Sequence, residues 1–358
     1  MSSNRPFKQL KIVAKEHDNL HVPSLKELAL REFALTKNGL FSPTEREYQV
    51  LMATKNGTSE LTNTIKTDLE VLLQHIAYGE QAEAEKMIDA SPHLLLMSGT
   101  VVNYSLQTII DVTPVQLAFG GNDEVMCAML KERLGEAEFL KQISERFHED
   151  AEAEKKAAAE FDEIMNQLVA GITDPLANIK DELNHMPNES PLRNLLDNFR
   201  VKFSPVEVKV GKHFNVQFLL KALDIYYAND TWPSERRRLF WRQVVGYLER
   251  LLPVSYVQAG CQGIENIREG EPLKRLLKLV DGSSYYPLDA NPANRLGSDH
   301  GIHFGVKQCE RAREDHSPLW RAWVGTFWKA YVKSKASDLQ NLSATARRED
   351  VSMCNVLR

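Results

Sequence analysis

The sequence predicts a mainly α protein built from two helical domains, and three observations carry that prediction. Helix-start signals recur at Ser24-Leu25-Lys26-Glu27, Ser42-Pro43-Thr44-Glu45 and Thr113-Pro114-Val115-Gln116. Each places a hydroxyl three residues before Glu or Gln, and the last two put proline at the first helical position. Apolar residues return every three or four positions through most of the chain. Strand-like residues are confined to two short pieces, one around Val101 to Ile110 and one at Val206 to Val210.

Composition bounds the rest. The chain has 358 residues, 43% hydrophobic and 26% charged, enough for two or three domains or one extended helical array. A formal net charge of −5 supplies no field for DNA or RNA, which call for clustered Lys and Arg. The clusters Arg236-Arg237-Arg238 and Arg347-Arg348 read as a solvated helix face and a tail. Cys127, Cys261, Cys309 and Cys354 form no CxxC pair, so a reducing compartment is expected. Met1 to Leu10 holds no apolar run of signal-peptide length, and no stretch approaches the roughly 20 apolar residues that span a bilayer. Cys354 is fifth from the end, one place wrong for prenylation. A soluble chain is expected, and export, if it occurs, would use no cleaved hydrophobic signal.

Along the chain, helices are expected from Ser24 to Thr36 and from Ser42 to before Gly57. Ile65, Leu69, Leu72, Leu73 and Ile76 share a face, and Gly79 stops that helix. Ala82 to Ala90 forms the next, with Ala84, Met87 and Ile88 inward. Residues 98–110 read as a hairpin or long loop. A short helix from Thr113 to Phe119 turns at Gly120-Gly121. A further helix, capped by Asn122, runs to Leu134 with Val125, Met126, Met129 and Leu130 buried. Residues 136–170 read as one long amphipathic helix or two in line, packed on the chain itself rather than in a coiled coil. Prolines 175, 187, 191 and 205 mark 172–214 as a linker or boundary. The second helical domain covers 215–336, with helices at Asn215 to Tyr227, Thr231 to Pro253 and Ser317 to Lys333. Residues 337–358 form a mobile tail. Trp232 and Trp241 are assigned to the core of this domain.

Two helix pairs, 65–90 and 113–134, have parallel layouts about 41 residues apart. Leu72, Leu73, Ala77, Gly79, Ala84 and Ile88 resemble one half of an ankyrin repeat. Thr113-Pro114-Val115-Gln116-Leu117-Ala118 is similar to the ankyrin signature Thr-Pro-Leu-His-x-Ala, with Gln116 where histidine is usual. The first domain (1–171) therefore resembles a divergent ankyrin-like helical repeat unit, spanning about 65–135. The whole chain also resembles the ankyrin-like effectors that intracellular bacteria deliver through type IV secretion systems. The residues that carry this are Trp232, Trp241, Val245-Gly246, Leu252-Pro253, Gln258 and Leu296-Gly297-Ser298-Asp299. The resemblance implies a protein-binding chain that leaves the bacterial cytoplasm and engages a host protein in the host cell.

An ankyrin-like array exposes the loop between its helix pairs, and binding residues sit on such loops. Asn103, Tyr104, Gln107 and Asp111, in the 98–112 segment, are the binding candidates. The enzymatic alternative rests on Asp299, His303 and Cys309 in the second domain, with His300 and His316 nearby. His, Asp and Cys are zinc-ligand types, and Cys309 or Cys261 with a histidine could form a thiol–imidazole pair. No nucleotide-binding glycine motif, GxSxG elbow or kinase signature is present, so no metal and no cofactor is assigned. The aromatic set Trp320, Trp323, Phe327, Trp328 and Tyr331 reads mainly as core packing.

Overall fold

The computed structural model describes residues 59–147, 151–183, 189–203, 205–262, 271–278 and 329–342. The expected helices at 24–36 and 42–57, the His303 and Cys309 region, and most of the Trp320 to Tyr331 set lie outside these residues. The described chain is mainly helical, with one small sheet. No helix among the described residues is long and apolar enough to cross a membrane.

The residues form two compact units. The first contains α1 (Ser59–Ala77), α2 (Gln81–Ala90), β1 (Gly99–Val102), β2 (Thr108–Val112), α3 (Pro114–Gly120), α4 (Glu124–Leu134) and α5 (Glu136–Arg146). Two further pieces of chain join it: residues 206–213, with β3 (Glu207–Val208), and the end of the helix at 329–342. The segment 98–110 is a hairpin: β1 pairs antiparallel with β2, and β2 pairs parallel with β3.

Two helix pairs, α1–α2 and α3–α4, bury one shared core. Leu69, Leu72, Leu73 and Ile76 of α1 meet Val115, Leu117 and Ala118 of α3, with Ile109 and Val112 of the sheet. The second helices are also linked, because Arg133 of α4 reaches Asp89 at 2.9 Å and also bonds Glu85 on α2. Thr113 caps α3 as expected, with both halves of the capping box formed. Its hydroxyl also donates to Gln142 Oε1 at 2.6 Å, and Gln116 Nε2 donates to the Gln142 carbonyl at 2.8 Å. Gln142 Nε2 in turn donates to the Leu95 carbonyl at 3.1 Å. The glutamine at the usual histidine position thus ties α3 to α5.

Two local expectations are corrected. Asp123, not Asn122, caps α4, its carboxylate accepting the Met126 N–H at 3.0 Å. Asn122 instead takes φ +51 in the turn, a conformation asparagine tolerates. Val125 is 39% exposed, and Cys127 takes the buried position beside Met126.

The stretch 136–173 is two helices, because α5 ends at Arg146 and α6 (Ala151–Thr173) belongs to the second unit. That unit continues through α7 (Ile179–Leu183), α8 (Pro191–Phe203), α9 (Val216–Ala228), α10 (Ser234–Phe240), α11 (Gly246–Arg250) and α12 (Val254–Gln262). Residues 172–214 therefore carry two helices and a strand rather than a bare connection. Phenylalanines fill the core: Phe161 stacks on Phe218 at 4.5 Å and meets Phe203 edge-on at 5.0 Å. Trp232 and Trp241 are half-buried at its margin rather than inside.

One glycine in the first unit answers to close packing. A Cβ on Gly120 would lie 2.5 Å from His213 Nε2, and the His213 N–H donates to the Gly120 carbonyl at 3.0 Å. Gly120→Ala is therefore expected to destabilise this unit by about 1–3 kcal/mol, the usual cost of overpacking. His213→Ala should restore most of that loss in the double variant, as a denaturation cycle would read.

Two buried groups set opposite pH dependences. Burial, helped by the Arg146 charge, pushes the His213 imidazole down to about 3. Protonation then favours the unfolded chain below about pH 6.5, so stability of the first unit falls as pH drops from there toward 3. Burial pushes the Glu249 carboxyl of the second unit up to about 8. The unfolded chain ionises first, so that unit loses stability as pH rises from about 4.5 to 8. Hydrogen exchange should show protection of α3 falling on the acid side. Protection of α11 should fall on the basic side, and Glu249→Gln should flatten only the latter.

Candidate functional site

The hairpin between the helix pairs holds all four residues singled out from the sequence, and the structure divides them into two groups. Asn103 and Gln107 close the loop. The Asn103 N–H donates to the Gln107 carbonyl at 3.0 Å, and the Gln107 N–H donates to Asn103 Oδ1 at 3.0 Å. Asn103 Nδ2 adds a bond to Gln107 Oε1 at 3.2 Å, and Gln107 is buried. Tyr104 and Asp111 are differently placed. Asp111 sits at the base beside the irregular register at Gly99/Val101, with φ +49. It is exposed and accepts the Ser98 hydroxyl at 2.5 Å. Tyr104 lies at the tip.

The tip is a three-residue loop. The Leu106 N–H donates to the Asn103 carbonyl at 3.0 Å, closing a four-residue turn, and Leu106 follows with φ +63. This loop asks for glycine or asparagine at that place, because a left-handed backbone brings Cβ against the next carbonyl. Leucine occupies it instead, and 58% of its surface is exposed. The residue therefore combines backbone strain with an apolar side chain in water.

Beside it, Tyr104 stacks on Tyr78 with ring centroids 3.9 Å apart and an interplanar angle of 18°. Tyr78 lies just past the end of α1, before Gly79 at φ +67. Burial, then the Glu80 charge and Tyr78, hold the Tyr104 phenol well above its ordinary range. The Tyr78 phenol is raised too, chiefly by burial. Both hydroxyls thus remain neutral at physiological pH. Glu80 pairs with His75, whose Nδ1 is 2.6 Å from its Oε2.

The hairpin base is fixed from beneath by Arg146. Its guanidinium donates to the carbonyls of Ile110 at 3.1 Å, Asp111 at 2.9 Å and Val208 at 3.3 Å. One side chain at the end of α5 thereby fastens β2 and β3 together. Burial holds its pKa below the ordinary arginine range, with Asp111 acting in the opposite sense.

What this arrangement offers is contact surface. Among the described residues no group of three His, Cys, Asp or Glu side chains converges as a metal site. Cys127 and Cys261 are buried, and burial pushes the Cys261 thiol up to about 12, so at neutral pH it is not the thiolate a nucleophile requires. Asp299, His303 and Cys309 lie outside the described residues. Sequence reasoning missed Tyr78, Leu106 and Arg146. The Tyr78-Gly79 step was a readable signal, whereas nothing in a leucine codon-by-codon reading marks a left-handed turn.

Comparison with protein-family models, curated proteins and solved structures gives no match. Geometry and sequence pattern alone support the site.

The strain at Leu106 is measurable. Leu106→Asn is expected to raise stability by about 0.5–1 kcal/mol, because asparagine enters the left-handed region at lower cost. Chemical denaturation of the two chains checks this, and a loss of stability would show that Leu106 is instead held by packing.

Proposed function

We propose that the chain is a protein–protein interaction module that contacts its partner through the tip of the β1–β2 hairpin. The observation that carries this reading is Leu106: a strained, exposed leucine where the loop asks for glycine or asparagine. Strain of this kind costs stability and persists where the surrounding structure over-determines it, which is common at ligand-contact sites. Tyr104 and Tyr78 supply adjacent aromatic surface, and aromatic residues dominate interface hot spots. The Arg146 anchor keeps the loop ordered before binding, so less conformational entropy is lost on contact.

Two sequence resemblances support the identity of the partner class within this proposal. Two helix pairs joined by a hairpin and sharing one core agree with an ankyrin-like reading of residues 65–135. The likeness to type IV secretion effectors would make the partner a host protein, met after the chain leaves a bacterium. The enzymatic alternative around Asp299, His303 and Cys309 gains no supporting observation from the described residues.

The test is affinity purification from eukaryotic lysate with the wild-type chain, with Tyr104→Ala and with Leu106→Asn. The expected result is one partner retained by the wild type and lost, or weakened at least tenfold, with both variants. Leu106→Asn is the sharper of the two, since it should bind less while folding more stably. Equal recovery with all three chains would remove the hairpin tip from the interface.

A further inference from the structure

The second unit carries a cationic and aromatic patch that the hairpin reading does not use. Arg236, Arg237 and Arg238 lie on α10, which runs directly into a π-helical turn at Trp241–Val245. Such turns are rare and occur frequently at functional sites. Arg237 and Trp241 are four residues apart, and the Trp241 N–H still bonds the Arg237 carbonyl, so the two side chains share a face.

Tyr226 of α9 is their common neighbour. The Arg237 guanidinium carbon lies 4.7 Å from the Tyr226 ring centroid. The Trp241 ring meets Tyr226 edge-on at 4.7 Å, and Tyr227 packs against Tyr226 at 5.4 Å. Arg237, Trp241, Tyr226 and Tyr227 are all half-buried, and Arg238 is exposed. A guanidinium held by its face on a ring keeps its in-plane donors available for an anion.

Two donors in this patch lack an acceptor. Arg237 Nε and Trp241 Nε1 are both removed from solvent and have no hydrogen-bond partner among the described residues. The neighbouring acid, Glu235, stands 3.9 Å from Lys180, and Arg236 donates to the Asp174 carbonyl at 3.2 Å. Among the described residues Arg237 forms no ion pair. A bare arginine run is usually a solvated face, but a half-buried guanidinium stacked on tyrosine beside an unsatisfied indole N–H is not.

We propose that this patch binds a carboxylate-rich segment of a protein partner, with the outer nitrogens of the Arg237 guanidinium donating to one carboxylate beside the Trp241 ring. Arg, Trp and Tyr are the residues that carry most interface energy, and all three meet here. Charge complementarity selects an acidic segment. A nucleic acid is the poorer fit, because the chain is net −5 and the patch is one short arginine run with Glu235 just before it.

The test uses the full chain labelled with ¹⁵N-tryptophan, its Trp241 indole resonance assigned through Trp241→Phe. A hexaglutamate peptide, inorganic phosphate and a single-stranded oligothymidine are titrated in turn. The expected result is a saturable shift of the Trp241 indole resonance with hexaglutamate, its apparent affinity weakened at least tenfold in Arg237→Gln. The other tryptophan resonances should stay in place, which reports an intact fold. As a second reading, Arg237→Gln should weaken a fluorescent hexaglutamate at least tenfold by anisotropy, whereas Trp241→Phe, which keeps the ring packing, should leave it within a few-fold. No shift with the peptide, or an equal shift in Arg237→Gln, overturns the site. Tighter binding of the oligothymidine than of the peptide overturns the choice of an acidic protein segment.

Discussion

The first unit depends on the way Arg146 spends its guanidinium. Three backbone carbonyls, those of Ile110, Asp111 and Val208, come from two strands distant in sequence, and each would otherwise need another donor. A buried carbonyl without a donor, as Val208 would have, costs about 1–3 kcal/mol, so this side chain reinforces the backbone pairing of β3 with β2. It is aided by Gln142, four residues earlier on α5, which closes the bonds of the α3 cap. The same helix therefore holds the start of α3 with one side chain and the hairpin base with another. A fixed base is what permits an unfavourable tip, because a loose hairpin would relax Leu106 out of its left-handed conformation.

The legible part of the fold was the part encoded locally. Thr113, Pro114 and Gln116 specify the start of α3 within four residues, and the structure realises both hydrogen bonds of that box. Gly79 and Gly135, at φ +67 and +85, stop their helices where expected. The break after Arg146 was harder to read, since Ala158, Phe161, Met165 and Leu168 continue the helical spacing of Leu140 and Ile143 into a different unit. Likewise, the pairing of β3 with β2 joins residues about a hundred positions apart, and no local pattern announces it. Prolines at 175, 191 and 205 suggested a boundary, but helices α7 and α8 fill that stretch, and the units part between α5 and α6.

The site divides along the same line. Asn103, Tyr104, Gln107 and Asp111 were readable as a loop, because a turn needs residues of that kind. Which of them face outward was not readable. The roles of Asn103 and Gln107 follow from cross-strand bonds, and the stack of Tyr104 on Tyr78 follows from how α1 meets the hairpin. Leu106 became visible only through its backbone angle. In the second unit the same distinction applies: Arg237 and Trp241 gain meaning from Tyr226, which lies on another helix.

The central claim is that the hairpin tip is the contact element, and site-specific photo-crosslinking tests it most directly. A benzophenone amino acid at position 104 or 106 is compared with one at the exposed positions 125 and 176 in eukaryotic lysate. The account predicts one discrete crosslinked protein from the tip positions and none from the other two. The same crosslinks from all four positions, or none from the tip, would contradict it.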